Sequence, residues 1–279
     1  MIISDMSDTS HQAPAESSSH DSEQHPTIAS LLNRRSIRHF KPSPVPPKVV
    51  DTLETVAQHA ATSQYLNSWS MLRVEDEDLK QALARIGRQP YIAEAPLLYV
   101  FIIDQHRNAR LAERQGVDTA SEDFTLNSSY IFAQSQNDAV LALHAMETAA
   151  YALGLGCVIL GSVLNDIDGL IDLLKLPALT YPVLGLAIGE PDEHPALKPR
   201  LSKTMQVFEN TYPDDATLDL PDQALEDFDS AVHHYYDLRD PSRPLATFSE
   251  QIAAKSQASS PLAKPLEPPA IRQGFTPGR

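Results

Sequence analysis

Residues 137–156, NDAVLALHAMETAAYALGLG, place apolar side chains on nearly every side of a helix before stopping at Gly154 and Gly156. A helix without a polar face has to be covered all round, so it belongs inside a core or at a contact between subunits. It is shorter than the roughly 18–20 consecutive apolar residues that a bilayer span requires. His144, in its middle, is expected to be a satisfied core histidine and not a ligand. Covering such a helix takes a large apolar complement, and 42% hydrophobic residues in a chain of 279 provide it.

The rest of that complement is visible in short runs. PLLYVFIID (96–104) is continuously apolar and closed by an acid, the pattern of a strand buried on both faces. CVILGS and YPVLGLAIGEP read as two more buried strands with a helix, NDIDGLIDLLKL, between them, and Gly185 and Gly189 mark a close backbone approach or a strand end. MLRVEDEDLKQALARI reads as a strand followed by a helix whose acidic first turn, Glu75 to Asp78, suits the helix dipole. Upstream, TIASLLNRR predicts a short helix with Thr27 as its N-cap, Ile28, Leu31 and Leu32 on one face, and an end near Arg34. KVVDTLETVAQHAA predicts an amphipathic helix opened by Pro47, with Val49, Val50, Leu53, Val56, Ala57 and Ala60 on the buried side. TSQYLNSWS (62–70) reads as a polar loop. Residues 1–25 are rich in Ser, His and acids and cannot offset the entropy of ordering, so they are expected to form a disordered extension. A single domain is then expected over 26–279, with LEDFDSAVHHYYDLRD helical and the Pro- and Ser-rich last 25 residues wrapping over its surface.

Several functions are excluded early. A formal charge of -15 repels nucleic acid and anionic lipid, and 6% aromatic residues offer few stacking platforms. The one cysteine, Cys157, lies among apolar neighbours; it excludes an internal disulfide and a multi-cysteine metal site, and suits a reducing compartment. The N-terminus resembles neither a signal peptide nor a transit peptide, so a cytoplasmic setting is expected. No P-loop, G-x-G-x-x-G helix opening, H-E-x-x-H or G-x-S-x-G is present.

Against this acidic background two basic knots stand out: RRSIRHFK, after 33 residues without Lys or Arg, and LKPRLS at 197–202. Each joins guanidinium groups to a Lys or Ser, the combination that grips a phosphate through charge-assisted bonds. On spacing alone the alternatives are a phosphate site and surface salt bridging.

RRSIRHFKPSPVP, GLGCVILGSVLND, LGLAIGEPDEHPALKPRLS and ENTY, in this order, resemble the nitroreductase superfamily, in particular its branch of oxygen-insensitive NADPH nitroreductases and NADPH-dependent flavin reductases. The resemblance runs from about Thr27 to Phe275. It implies an α+β fold, a mixed, mainly antiparallel sheet flanked by helices, in an intertwined homodimer with two FMN sites at the interface. It further implies Arg34, Arg35 and Ser36 at the FMN phosphate and ribityl chain with Arg38 beside them, and Lys198 and Arg200 completing the phosphate grip. Thr62, Ser63 and Asn67 fall where the family has a Ser-rich loop and an amide facing the flavin pyrimidine. Gln89 and Tyr91 match the next flavin-contacting turn, and Ile159, Leu160, Gly161 and Ser162 the backbone stretch near flavin N5. Gly161-Ser162 replaces the Gly-Gly common in the branch, and Leu164 stands where relatives carry Arg. Arg239 and Arg243 are the basic residues available for the 2′-phosphate of NADPH.

The implied activity takes hydride from NADPH onto FMN and passes electrons to nitroaromatics, quinones or flavins by a ping-pong route. Chemistry at flavin N5 then needs no catalytic side chain and no metal. The expected partners are a second copy of the chain and small-molecule acceptors, not nucleic acid or membrane. The alternative is a non-catalytic flavin-binding or regulatory protein on the same scaffold.

Overall fold

A computed structural model describes residues 25–214, 222–237, 246–257 and 265–276. The expected extension over 1–25 therefore lies outside the described residues but for His25, and Arg239 and Arg243 lie outside them as well.

The chain enters through α1 (Pro26–Leu32), with Pro26 in the first turn and His25 at the cap position. Thr27 is not the cap, because a proline at the first helical position sets φ for the helix and lacks the N–H that a cap would serve. Ile28, Leu31 and Leu32 are exposed. After an extended stretch, α2 (Pro47–Gln58) buries Leu53 and Ala57, as its spacing predicts. The polar loop is shorter than expected, since β1 (Trp69–Arg73) begins at Trp69. Asp76 caps α3 (Glu77–Gly87) by accepting from the Leu79 amide, with Glu77 and Asp78 in the first turn. The short α4 (Tyr91–Glu94) leads into β2 (Leu97–Asp104), which is buried at every position but the last. That pattern requires cover on both faces of the sheet.

Beyond α5 (His106–Arg114), the long helix α6 (Ser129–Ala152) starts eight residues before the apolar run, where the Ser128 hydroxyl accepts from the Ile131 amide. It touches all four strands. His144 is not a core residue: its side chain is 57% exposed. An all-round apolar composition carries no phase, so the sequence does not say which side faces out. Val140 and Leu141 are exposed on the helix as well.

β3 (Gly156–Leu160), α7 (Ile167–Leu173) and β4 (Thr180–Gly189) complete the sheet, in the order β1-β2-β4-β3. All its pairings are antiparallel. The only parallel pairings among the described residues are isolated bridges, one of them between Ser36 and Cys157. Helices α8 (Asp222–Asp237) and α9 (Phe248–Lys255) pack together through Phe228 and Phe248. The last helix, α10 (Glu267–Arg272), sends Ala270 and the following Phe275 into the core, where Phe275 meets Phe132 edge-on. No described helix is long and apolar enough to cross a membrane.

Candidate active site

The first basic knot lies on extended backbone between α1 and α2. The Ile37 amide donates to the Cys157 carbonyl at 2.9 Å, beside the Ser36–Cys157 bridge. Further on, the Lys41 amide donates to the Glu190 carbonyl and the Asp192 amide to the His39 carbonyl, both at 2.9 Å. Residues 36–41 thus run from the edge of β3 to the chain leaving β4. Close approach is built into two glycines: a Cβ on Gly156 would lie 2.7 Å from Ile37 Cγ1, and one on Gly189 2.9 Å from Phe40 Cδ1.

This pairing brings the second knot towards the first. Arg35 Nε donates to the Pro195 carbonyl at 2.8 Å, and the Glu193 carboxylate accepts from the Arg38 and His39 amides. Three residues past Pro195 come Lys198 and then Arg200, whose guanidinium donates to the Lys198 and Pro199 carbonyls. Lys198 also lines a cavity of about 160 Å³ under Phe228, Tyr235 and Phe248 of α8 and α9. Arg34 points elsewhere. Its Nε donates at 2.9 Å to Glu147 of α6, whose side chain is 2% exposed. The Tyr151 hydroxyl lies 3.1 Å from Glu147 Oε1 and 3.1 Å from the Arg35 carbonyl. Burial, then Cys157 and Glu147 nearby, push this phenol far above its ordinary range, so it stays protonated. Cys157 is a free, buried thiol that burial pushes up, the opposite of an activated nucleophile.

At the other end of β3, the Tyr91 and Ser162 hydroxyls both donate to Gln89 Oε1 at 2.8 Å. The carbonyl end of Gln89 is thereby taken, leaving its amide nitrogen as the donor end. Ser162 can come this close because Gly87 has no side chain: a Cβ there would lie 3.1 Å from Ser162 Oγ and 2.6 Å from Ile92 Cδ1. Gly161 opens the turn after β3, and a Cβ on it would meet nothing within 4 Å. From Cys157 to Leu160 the strand advances about 10 Å at ~3.3 Å per residue, and Ser162 follows in the turn beyond it. Since the Cys157 carbonyl faces the outer edge of β3, the backbone groups of Ile159 face the same way, while Leu160 is buried. The result is a strand edge with cations at one end and a hydroxyl–amide cluster at the other.

Thr62, Ser63 and Asn67 are not part of this group. They precede β1, at the opposite edge of the sheet. Three inter-strand spacings, about 14 Å, separate the two edges. Along the strands, Cys157 is level with Ile188, and Trp69 is level with Ile103 and through it Tyr181. That adds about 23 Å for the seven residues between them. The loop has its own anchor, Asp138 of α6, whose carboxylate accepts from the Ser63 amide at 2.8 Å and the Ser68 amide at 3.3 Å.

Asp138 and Glu147 are the residues that reading the sequence missed. Both are about 1% exposed. Their signal was an acid within an otherwise apolar helix, which demands a partner; the partners lie 75 and 113 residues away in sequence.

Among the described residues, a four-stranded antiparallel sheet crossed by one long helix, with cations and a hydroxyl–amide cluster along one strand edge, defines an α+β class. The family model described as "Nitroreductase family" matches residues 31–190, and that described as "Nitroreductase family, C-terminal domain" matches residues 198–277. The chain is 35% identical over 227 residues to "FMN reductase (NADPH)" of Bacillus subtilis (strain 168), covering 81% of this chain and 89% of that one. Among solved structures, "Structure of NfrA1 nitroreductase from B. subtilis" superposes with a TM-score of 0.80 at 31% identity, covering 89% of this chain and 98% of that one. "NADPH:FMN oxidoreductase from Vibrio harveyi complexed with NAD+" gives 0.76 at 26% identity, covering 90% and 99%. The chain belongs to the nitroreductase family.

Proposed function

We propose that this protein is an NADPH-dependent FMN oxidoreductase that passes electrons from NADPH to nitroaromatics, quinones or flavins by a ping-pong route. The observation that carries the reading is the β3 edge, which gathers a cationic end and a hydroxyl–amide end on one strand. The relatives whose names specify FMN and NADPH support it.

The residues present fit FMN. Arg38, Lys198 and Arg200 would hold the dianionic phosphate, with Arg35 tying the two cationic segments together through Pro195. The Gln89 amide and the outward backbone groups of β3 would serve the polar edge of the ring, and the bare Gly161 leaves room beside it. When bound, FMN supplies the hydride exchange at N5 that no side chain here provides. The chain's own work is to bind, orient and screen.

The opposite-edge loop fits this reading only in a homodimer. One flavin cannot touch both Ser36 and Asn67 of the same chain, so Thr62, Ser63 and Asn67 would complete the site of a second copy. The exposed Val140 and Leu141, with Ile28, Leu31 and Leu32 of α1, supply an apolar surface for that contact. Arg239 and Arg243 are assigned to the NADPH 2′-phosphate, residues 1–25 to an extension without catalytic role, and the protein to the cytoplasm. Variants lacking both arginines should lose preference for NADPH over NADH.

The test is an anaerobic visible spectrum of purified protein before and after NADPH. Flavin bands that bleach with NADPH and return on adding a quinone are expected. A protein that stays colourless after incubation with FMN would overturn the reading, and a monomer by light scattering would overturn the dimeric site.

A further inference from the structure

Resting on the FMN reading, we propose that Glu147 and Tyr151 of α6 are positioning residues for the phosphate end of the site, and that Arg34 acts through them instead of gripping the anion directly. Three observations converge. Arg34 Nε is committed to Glu147 Oε1 at 2.9 Å, so the charge of this guanidinium is already paired with a buried carboxylate. The Tyr151 hydroxyl sits within hydrogen-bond distance of Glu147 Oε1, the Arg35 carbonyl and, at 3.4 Å, the Cys157 carbonyl. The Arg35 carbonyl leads into Ser36, and the Cys157 carbonyl is the acceptor that pins Ile37 to β3.

A buried carboxylate and a phenol one helical turn apart therefore engage the basic segment from two directions: Glu147 through the Arg34 side chain, and Tyr151 through its one proton, which lies among the Glu147, Arg35 and Cys157 acceptors. Glu147 Oε2 has a further neighbour in the imidazole of His144 at 3.3 Å. An acid buried to this degree is tolerated only with such partners. Their consequence is that the backbone of 34–37 has one register relative to β3. A phosphate site depends on such fixed geometry, because charge-assisted bonds lose strength steeply with misalignment.

The experiment compares FMN with riboflavin, which has the same ring and ribityl chain but no phosphate. Full-length wild type, Glu147→Gln and Tyr151→Phe are stripped of flavin and titrated with each ligand by flavin fluorescence, and kcat and KM for NADPH are measured on the reconstituted proteins. Glu147→Gln should weaken FMN about tenfold and leave riboflavin within about twofold. Tyr151→Phe, which keeps the ring's packing, should weaken FMN two- to threefold with the same selectivity. With saturating FMN, kcat should return to the wild-type value in both. Equal weakening of FMN and riboflavin would show a purely structural role and overturn the inference, as would unchanged FMN affinity in both variants. If Glu147→Gln does not fold, Tyr151→Phe alone decides by the same ratio. Wild type that binds neither ligand would instead bring down the FMN reading itself, before any variant is compared.

Discussion

The segment 34–41 at the β3 edge and the loop 62–68 at the β1 edge are both irregular, both tied to α6, and held by different means. The first is laddered to its neighbours through backbone bonds at Ile37, Lys41 and Asp192, and has no left-handed residue. The second contains Gln64, Tyr65 and Asn67 at φ of 51°, 59° and 49°, and depends on Asp138 for two of its amides. A non-glycine residue in the left-handed region costs about 1 kcal/mol, so three in four positions are maintained only by a strong external anchor. One edge is fixed by steric fit and hydrogen-bond register, the other largely by side chains that reach in from outside it, Asp138 at the Ser63 and Ser68 amides and Arg107 and Asn108 at the Asn67 and Leu66 carbonyls. Tyr65, at the tip of the strained loop, is 88% exposed.

The sharpest way to break this contrast is to remove the anchor. Asp138→Ala takes away two charge-assisted bonds and leaves the Ser63 and Ser68 amides to find other acceptors, so stability should fall by about 3 kcal/mol. Urea unfolding of the variant would read this as a lower midpoint. The more diagnostic readout is limited proteolysis, in which the 62–68 loop should become susceptible while 34–41 stays protected. A 62–68 loop that stays as protected as 34–41 would mean that its remaining contacts, and not the carboxylate, hold it.

The reciprocal change acts on steric fit. In Gly156→Ala the new methyl would lie under 3 Å from three atoms of Ile37, which is itself 6% exposed. Relief requires the 34–41 segment to move off β3, at a cost of about 2 kcal/mol. Flavin affinity should fall along with the melting temperature. A Gly156→Ala protein with wild-type stability and flavin binding would show that the segment is pliant, removing the contrast from its other side.

A smaller change should stabilise. Gln64→Gly relaxes one left-handed residue whose side chain is exposed, and the gain of about 1 kcal/mol from removed strain is partly cancelled by the greater entropy of glycine in the unfolded chain. A net increase of about 0.5 kcal/mol in unfolding free energy is expected. A loss would mean that the backbone at Gln64 is not strained.

These two edges were not equally legible in the sequence. PLLYVFIID and YPVLGLAIGEP announced β2 and β4 because a continuous apolar run leaves a short buried strand few alternatives, and Pro47 with the spacing of Leu53 and Ala57 announced α2. The basic knots were legible by contrast with an acidic chain, and Gly189 by its place at a strand end. Strand order was not legible. Without it, Thr62, Ser63 and Asn67 could be matched to a motif but not seen to lie on the far edge from Ser36. Nor could the roles of Asp138 and Glu147 be read, because their partners are distant in sequence and an acid in a helix is usually a solvated one. His144 reads as a core residue for a related reason: on a helix apolar all round, periodicity no longer distinguishes inside from outside.

One contact at the β3 edge looks important and should not be. Lys41 Nζ pairs with Glu190, beside the backbone bond that joins the same two residues. The hydrogen bond to Glu190 raises Lys41 above the ordinary lysine range, and the hydrogen bond to Lys41 lowers Glu190 below the ordinary carboxylate range. For the lowered acid, any stabilisation is present above its unfolded pKa of about 4.3 and is lost as pH falls further. For the raised base, it is present below about 10.4 and is lost as pH rises through the folded value. The pair would therefore act across the whole neutral range, with no step inside it. Both side chains are about half exposed, however, and exposed pairs are screened by salt and lose side-chain entropy on forming. Lys41→Gln should leave the melting temperature at pH 5–9 and 150 mM salt unchanged within error. A clear drop would mean that the ion pair, and not the backbone ladder with its glycine close approaches, keeps 34–41 in register.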